Sequence, residues 1–205
     1  MAIKRSKRYE AASKLVDKNK SYAWTEAVKI LKQIPTTKGD QTVDLAFKLG
    51  VDPKQSDQMV RGTVALPAGS GKNVRVLVFA KGAAADAAKA AGAEFVGMDD
   101  LIKKVTEGFQ DFDVAVATPE AMAEVRKLGR VLGPRGLMPN PKTGTVTDDT
   151  AKAVKECKAG RVEFKIDKAA NIHVPCGKFS FPIESIEANG RAVIEAIVRS
   201  RPATA

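Results

Sequence analysis

Between residues 74 and 129 the chain repeats one unit three times, a short apolar stretch followed by a segment with helical spacing. VRVLVFA (74–80) leads into AAADAAKAAG, AEFVG (93–97) leads into a run starting at Asp99, and FDVAVAT (112–118) leads into PEAMAEVRKLG. Strands linked by single helices lie parallel and need cover on both faces, so this β-α-β-α-β-α series predicts an open, Rossmann-like α/β layer. Asp99, Asp148 and Asp149 fall at helix starts, where carboxylates cap free amides and oppose the helix dipole. A structural role therefore accounts for these acids, and metal binding is given little weight.

The flanks have a different periodicity. QTVDLAFKLG alternates Val43, Leu45, Phe47 and Leu49 with Thr42, Asp44, Ala46 and Lys48, as a strand buried on one face does. RVEFKID places Val162, Phe164 and Ile166 on one side and Arg161, Glu163, Lys165 and Asp167 on the other, and DKAAN turns it into NIHVP as a hairpin. Helices are predicted from about Thr25 to Ile34 and from about Ser185 to Arg199.

The simplest assembly pairs the flanks, 1–67 and 160–205, as one discontinuous α+β domain with an antiparallel sheet. Residues 68–159 are then an inserted α/β domain, with crossings near Leu66–Gly71 and Lys158–Gly160. Charge follows the same division. Residues 1–67 hold 13 basic and 7 acidic residues and 160–205 hold 7 and 5, so the flanks carry +8 of the net +10. That excess makes the flanking domain the expected binder of a polyanion, and two thin connections let the domains rotate relative to each other. The polyanion is nucleic acid rather than a membrane: no apolar run reaches spanning length, and MAIKRSKRYEAASK lacks the apolar stretch of a secretory signal, which places the chain in the cytoplasm.

Residues 133–145, GPRGLMPNPKTGT, hold three Gly and three Pro, a composition that dictates a stiff backbone path. Two readings are evenly matched. Arg135 and Lys142, with Arg130 just upstream, are cations through which such a loop could face RNA phosphate; equally, Leu137 and Met138 could plug a core while the cations face water.

Catalytic chemistry has little support. AGSGKN (68–73) fails as a phosphate-binding Walker loop because Leu66 stands at the first glycine position, Asn73 replaces Ser or Thr, and the stretch precedes a strand. VFAKGAAADAAKAAG lacks the three-glycine dinucleotide fingerprint, so no cofactor is expected. Cys157 and Cys176 are expected as reduced thiols, and His173 with them matches no zinc spacing. An enzyme that binds a nucleotide on the central α/β domain is the competing class of function.

Five blocks in fixed order resemble the bacterial form of the large-subunit ribosomal protein L-one family. They are RSKRYEAASKLVD near the start, KLGVDPKQSDQMVRGTVALPAGSGK (48–72), GAEFVG (92–97), KLGRVLGPRGLMPNPKTGTVT (127–147) and KAGRVEFKIDKAANIHVPCGK (158–178). The resemblance implies a non-enzymatic two-domain protein whose domain I, from the terminal segments, grips the base of a mobile rRNA stalk. It also implies help in releasing deacylated tRNA from the exit site and, as in many bacterial members, repression of the protein's own operon mRNA. Carried over by motif, the rRNA contacts are Lys38, Thr42, Arg161, Lys165, Asp167, Lys168 and His173, types suited to phosphates, 2′-hydroxyls and minor-groove edges. Two departures stand out. Gly39 occupies the position of a usual Phe, and RSRPATA ends where the family continues to a strand with a Thr-Met-Gly segment, so a truncated sequence and a divergent member both fit; either leaves an exposed sheet edge.

Overall fold

The computed structural model describes residues 5–17, 19–34 and 37–202, without the side chains of Ser56 and Lys142. In chain order the elements are α1 (Lys7–Leu15), α2 (Trp24–Gln33), β1 (Thr42–Lys48), β2 (Arg61–Ala65), β3 (Val76–Phe79), α3 (Ala83–Ala90), β4 (Phe95–Gly97) and α4 (Asp99–Thr106). They continue with β5 (Val114–Ala117), α5 (Met122–Val125), α6 (Gly129–Leu132), α7 (Thr150–Lys158), β6 (Arg161–Lys165), β7 (Asn171–Lys178) and α8 (Ile183–Arg199).

The middle segment forms a parallel sheet in the order β4-β3-β5. Alternation along β3 explains its cover: Leu77 and Phe79 pack with Leu101 and Val105 of α4 and with Val125, while Val76 and Val78 face Ala88 of α3 and Val154 of α7. Both faces of the strand are therefore dry, as a parallel sheet requires. Asp149 accepts from the Lys152 amide at 3.0 Å and so caps α7, as predicted; Asp99 opens α4 without a capping bond from the residue before it. The run after Pro119 is broken. A 3₁₀ turn at Arg126–Leu128 separates α5 from α6, and this tighter winding keeps Val125, Leu128 and Leu132 all buried.

The flanking segments form two antiparallel pairs, β1 with β7 and β2 with β6. The expected β6–β7 hairpin is only half right. The chain does reverse at 166–170, with the Asp167 amide donating to Asn171 O at 2.8 Å, but beyond that bond each strand ladders with a different partner. Apolar pairing explains the split, since Ile172 and Val174 oppose Phe47 and Leu45, whereas the ring of Phe164 lies over Gly62, where a β-carbon would sit 2.8 Å from it. Val193 and Ile197 of α8 close the core over Val64, Phe164, Ile172 and Val174. α2 crosses α8 with the Trp24 ring against Gly190, and the indole N–H donates to Glu187 O at 3.2 Å.

Where the chain passes between the segments, buried Asn189 of α8 supplies the polar partners. Its Oδ1 accepts from the Ala68 amide at 2.9 Å, and its Nδ2 donates to Gly69 O at 3.0 Å and Cys176 O at 2.8 Å. The buried Cys176 carbonyl, which would otherwise lack a partner, is thereby satisfied, and the two less buried groups at Ala68 and Gly69 are tied to the same side chain.

Candidate nucleic-acid interface

One face of the β1/β7 pair is covered by α2 and α8, and the other points outward with Thr42, Asp44, Ala46 and Lys48 opposite Lys178, Pro175, His173 and Asn171. The neighbours of Thr42 and His173 on this face are Lys48 and Lys178, which the sequence reading did not single out as contacts. Lys178 was hidden by a register shift. Ile172, Val174 and Cys176 alternate inward, so continued alternation would bury residue 178. Cys176 is instead an extra residue opposite the Val43/Asp44 step, and Lys178 lands beside Thr42, donating from Nζ to Oγ1 at 3.2 Å.

Exposed Lys38 lies on the stretch leading into β1. This stretch is anchored by Asp40, whose carboxylate accepts from the Ser180 amide at 3.0 Å and its hydroxyl at 2.7 Å; the hydroxyl bond is the main reason the Asp40 carboxyl titrates below its ordinary value. The cation is thus presented from a fixed base. Gly39 has open space around it, so nothing in the fold demands a glycine there.

Lys165 and Lys168 are exposed, the first on β6 and the second at the tip of the turn. Asp167 is engaged in that turn. Its Oδ1 accepts from the Ala169 amide at 2.8 Å and the Asn171 amide at 2.7 Å, the Asn171 bond being the largest cause of its lowered carboxyl pKa. The same bonds hold Ala170 at φ 62, a left-handed conformation unfavourable for alanine.

Arg161 departs from the expected outward position. Its side chain is only 19% exposed, Nη1 meets Glu156 Oε2 at 2.6 Å, and Nη2 donates to Thr63 Oγ1 at 3.1 Å. Gly144, at φ 64, leaves room for the guanidinium, for a β-carbon there would sit 2.6 Å from Nη2. The cause is local geometry: α7 ends three residues before β6 begins, which lays Glu156 over the start of the strand. Arg61 is likewise paired, with Glu163 at 2.5 Å.

In the 133–145 loop the apolar residues are placed as the packed-corner reading expects. Leu137 and Met138 pack against the α4–α5 side of the parallel sheet, and Pro139 and Thr143 are buried. Gly136 at φ 72 turns the chain, and the Thr143 hydroxyl donates to Asn140 O at 3.0 Å. Arg130 and Arg135 remain exposed on this rigid base, while the Lys142 side chain lies outside the described ones.

Among the described residues there is no cluster of three or more His, Cys, Asp or Glu able to hold a metal ion, and no helix long and apolar enough to cross a membrane. Cys157 and Cys176 are buried free thiols. The geometry is a basic outward sheet face beside a stiff basic loop. The sequence profile of the Ribosomal protein L1p/L10e family matches residues 31–205. Among curated relatives, the large ribosomal subunit protein uL1 of Kosmotoga olearia is 55% identical over 202 residues, covering 98% of this chain and 87% of the relative.

Proposed function

Because the chain belongs to the ribosomal protein L1p/L10e family, we propose that it is a structural, non-enzymatic protein of the large ribosomal subunit that grips the mobile rRNA stalk. The observation that carries this is the outward β1/β7 face with its continuation onto β6. Lys178 and Lys48 share that face with Thr42 and His173, exposed Lys38 leads into β1, exposed Lys168 stands at the turn into β7, and exposed Lys165 lies on β6. Cations meet phosphates, and the hydroxyl and imidazole meet 2′-hydroxyls and minor-groove edges of A-form RNA. Asp167 contributes by fixing the turn that carries Lys168. Arg130, Arg135 and Lys142 form a second RNA-facing element.

On this reading the segments 1–67 and 160–205 are the gripping domain and 68–159 an inserted domain. Release of tRNA from the exit site follows from holding a movable stalk, and repression of the protein's own mRNA uses the same surface on a stalk-like hairpin. The protein acts on the ribosome in the cytoplasm, without a cofactor. The division is supported by the proximity of the two crossings, where the Leu66 amide donates to Gly160 O at 3.3 Å. A chain joining Leu66 to Arg161 through a short glycine linker is expected to keep most of the affinity.

The deciding experiment is equilibrium binding of the full chain to a stalk rRNA fragment and, separately, to free nucleotides. Tight, salt-dependent RNA binding with no saturable nucleotide binding is the expected result. Saturable nucleotide binding with weak RNA association would favour an enzyme built on the central sheet.

A further inference from the structure

A cleft of about 340 Å³ opens between β6 and the 133–145 loop. Lys72, Arg135 and Arg161 line it together with two carboxylates, Asp113 and Glu163. The pairing of these charges is uneven. Asp113 accepts from the Arg75 amide at 3.0 Å and from Arg75 Nε at 3.3 Å, Glu163 pairs with Arg61, and Arg161 pairs with Glu156. Each carboxylate at the cleft thus has an arginine of its own.

The surplus is cationic. Among the described residues Arg135 forms no ion pair or hydrogen bond, and Lys72 makes no direct ion pair, its charge acting on Asp113 only from beyond pairing distance while Asp113 is already bonded to Arg75. Arg135 is also held in place from below, because the next residues turn at Gly136 and bury Leu137 and Met138 against the parallel sheet. A guanidinium on so stiff a base loses little freedom when it grips two oxygens of one phosphate. The Ser70 hydroxyl, on the same wall, can donate to a third.

We propose that this cleft is a second RNA-backbone site, in which Lys72 and Arg135 bind consecutive phosphodiesters of a strand already held on the β1/β7 and β6 face. The proposal rests on the RNA-binding reading above. It adds Lys72 to the interface and makes the two segments of the chain share one RNA.

The test uses the full chain and a stalk rRNA fragment. The double variant Lys72→Gln/Arg135→Gln should flatten the dependence of log affinity on log salt by about 1.4 to 1.8, at roughly 0.7 to 0.9 for each phosphate no longer neutralised. Its melting midpoint should not move, as both side chains are exposed. Lys103→Gln/Lys104→Gln, which removes two exposed cations of α4 that do not line the cleft, is the control. A slope unchanged in the cleft variant, or changed equally in both, overturns the proposal. Lys165→Gln/Lys168→Gln separates the two levels of inference. If it flattens the slope and the cleft variant does not, only the cleft assignment fails; if the cleft variant alone acts, the sheet-face reading fails, and the proposal of a second site for a strand held on that face is overturned with it. Inorganic phosphate titrated into the RNA-free protein distinguishes the source: saturable binding lost in the cleft variant, with the RNA slope unchanged, would make this a free-anion site and overturn the assignment to RNA.

Discussion

Gly160 and Gly69, which belong to the two separate passages of the chain between its flanking and middle segments, touch backbone to backbone: a β-carbon on Gly160 would sit 2.7 Å from Gly69 Cα and 2.7 Å from the Ser70 amide nitrogen. Both residues have positive φ, 103° at Gly160 and 75° at Gly69. The junction is therefore a crossing of two stretches of chain with no side chain between them. Gly160→Ala is expected to cost at least about 2 kcal/mol, from the unfavourable backbone conformation together with overpacking. Gly108→Ala, at φ 109 but with open space around it, is expected to cost only the backbone part, about 1 kcal/mol. Denaturant midpoints of the two variants measure the difference, and equal losses would mean that the close approach of the crossings contributes nothing.

Asn189 makes the same junction polar. With Asn189→Leu the Ala68 amide and the Gly69 and Cys176 carbonyls lose a buried partner, and the expected destabilisation is about 2 to 4 kcal/mol at roughly 1 to 3 for each unsatisfied group, reduced where water enters. A loss below about 1 kcal/mol by chemical denaturation would show that water replaces the amide.

What was legible in the sequence was whatever local pattern alone dictates. The three central strands are short apolar runs joined by helices, so their parallel pairing and the cover on both faces follow from spacing, whereas the order β4-β3-β5 does not. β1 alternates cleanly, and its buried set agrees with the expectation. The misses share a cause in tertiary geometry. Lys178 faces Thr42 only because Cys176 interrupts the ladder, and the 119–132 run breaks into two helices because a 3₁₀ turn keeps three apolar residues facing one core. Arg161 lies on an outward strand position by parity, yet the short connection from α7 to β6 leaves Glu156 within reach of it. No periodicity in RVEFKID reports that.

This difference between Arg161 and Lys165 separates two effects that spacing alone treats as one. Lys165→Ala should flatten the salt dependence of stalk rRNA binding by about 0.7 to 0.9 with no change in melting. Arg161→Ala should instead lower stability by about 1 to 3 kcal/mol, since it strands Glu156 and Thr63 without their shared donor, and should change the slope less. Identical slope changes with unaltered melting in both variants would mean that Arg161 leaves Glu156 to meet the RNA.

Acid stability offers an independent measure of the turn at Asp167. The Asn171 and Ala169 amides hold its carboxyl below the ordinary value of 3.8, so its contribution is fully present above that pH and is lost as pH falls through the lower folded value. Asp167→Asn keeps an oxygen acceptor for both amides and removes the titration. The stability of the variant is therefore expected to fall less steeply than that of the parent below about pH 4, while Asp167→Ala should be weaker at every pH because Ala170 loses the bonds that hold its φ positive. The measurement is the urea midpoint at a series of pH values from about 2 to about 7, a span that brackets the carboxylate range. Superimposable acid limbs for parent and Asp167→Asn would show that the Asp167 charge is not what the turn depends on, and that a neutral oxygen holds the hairpin tip equally well.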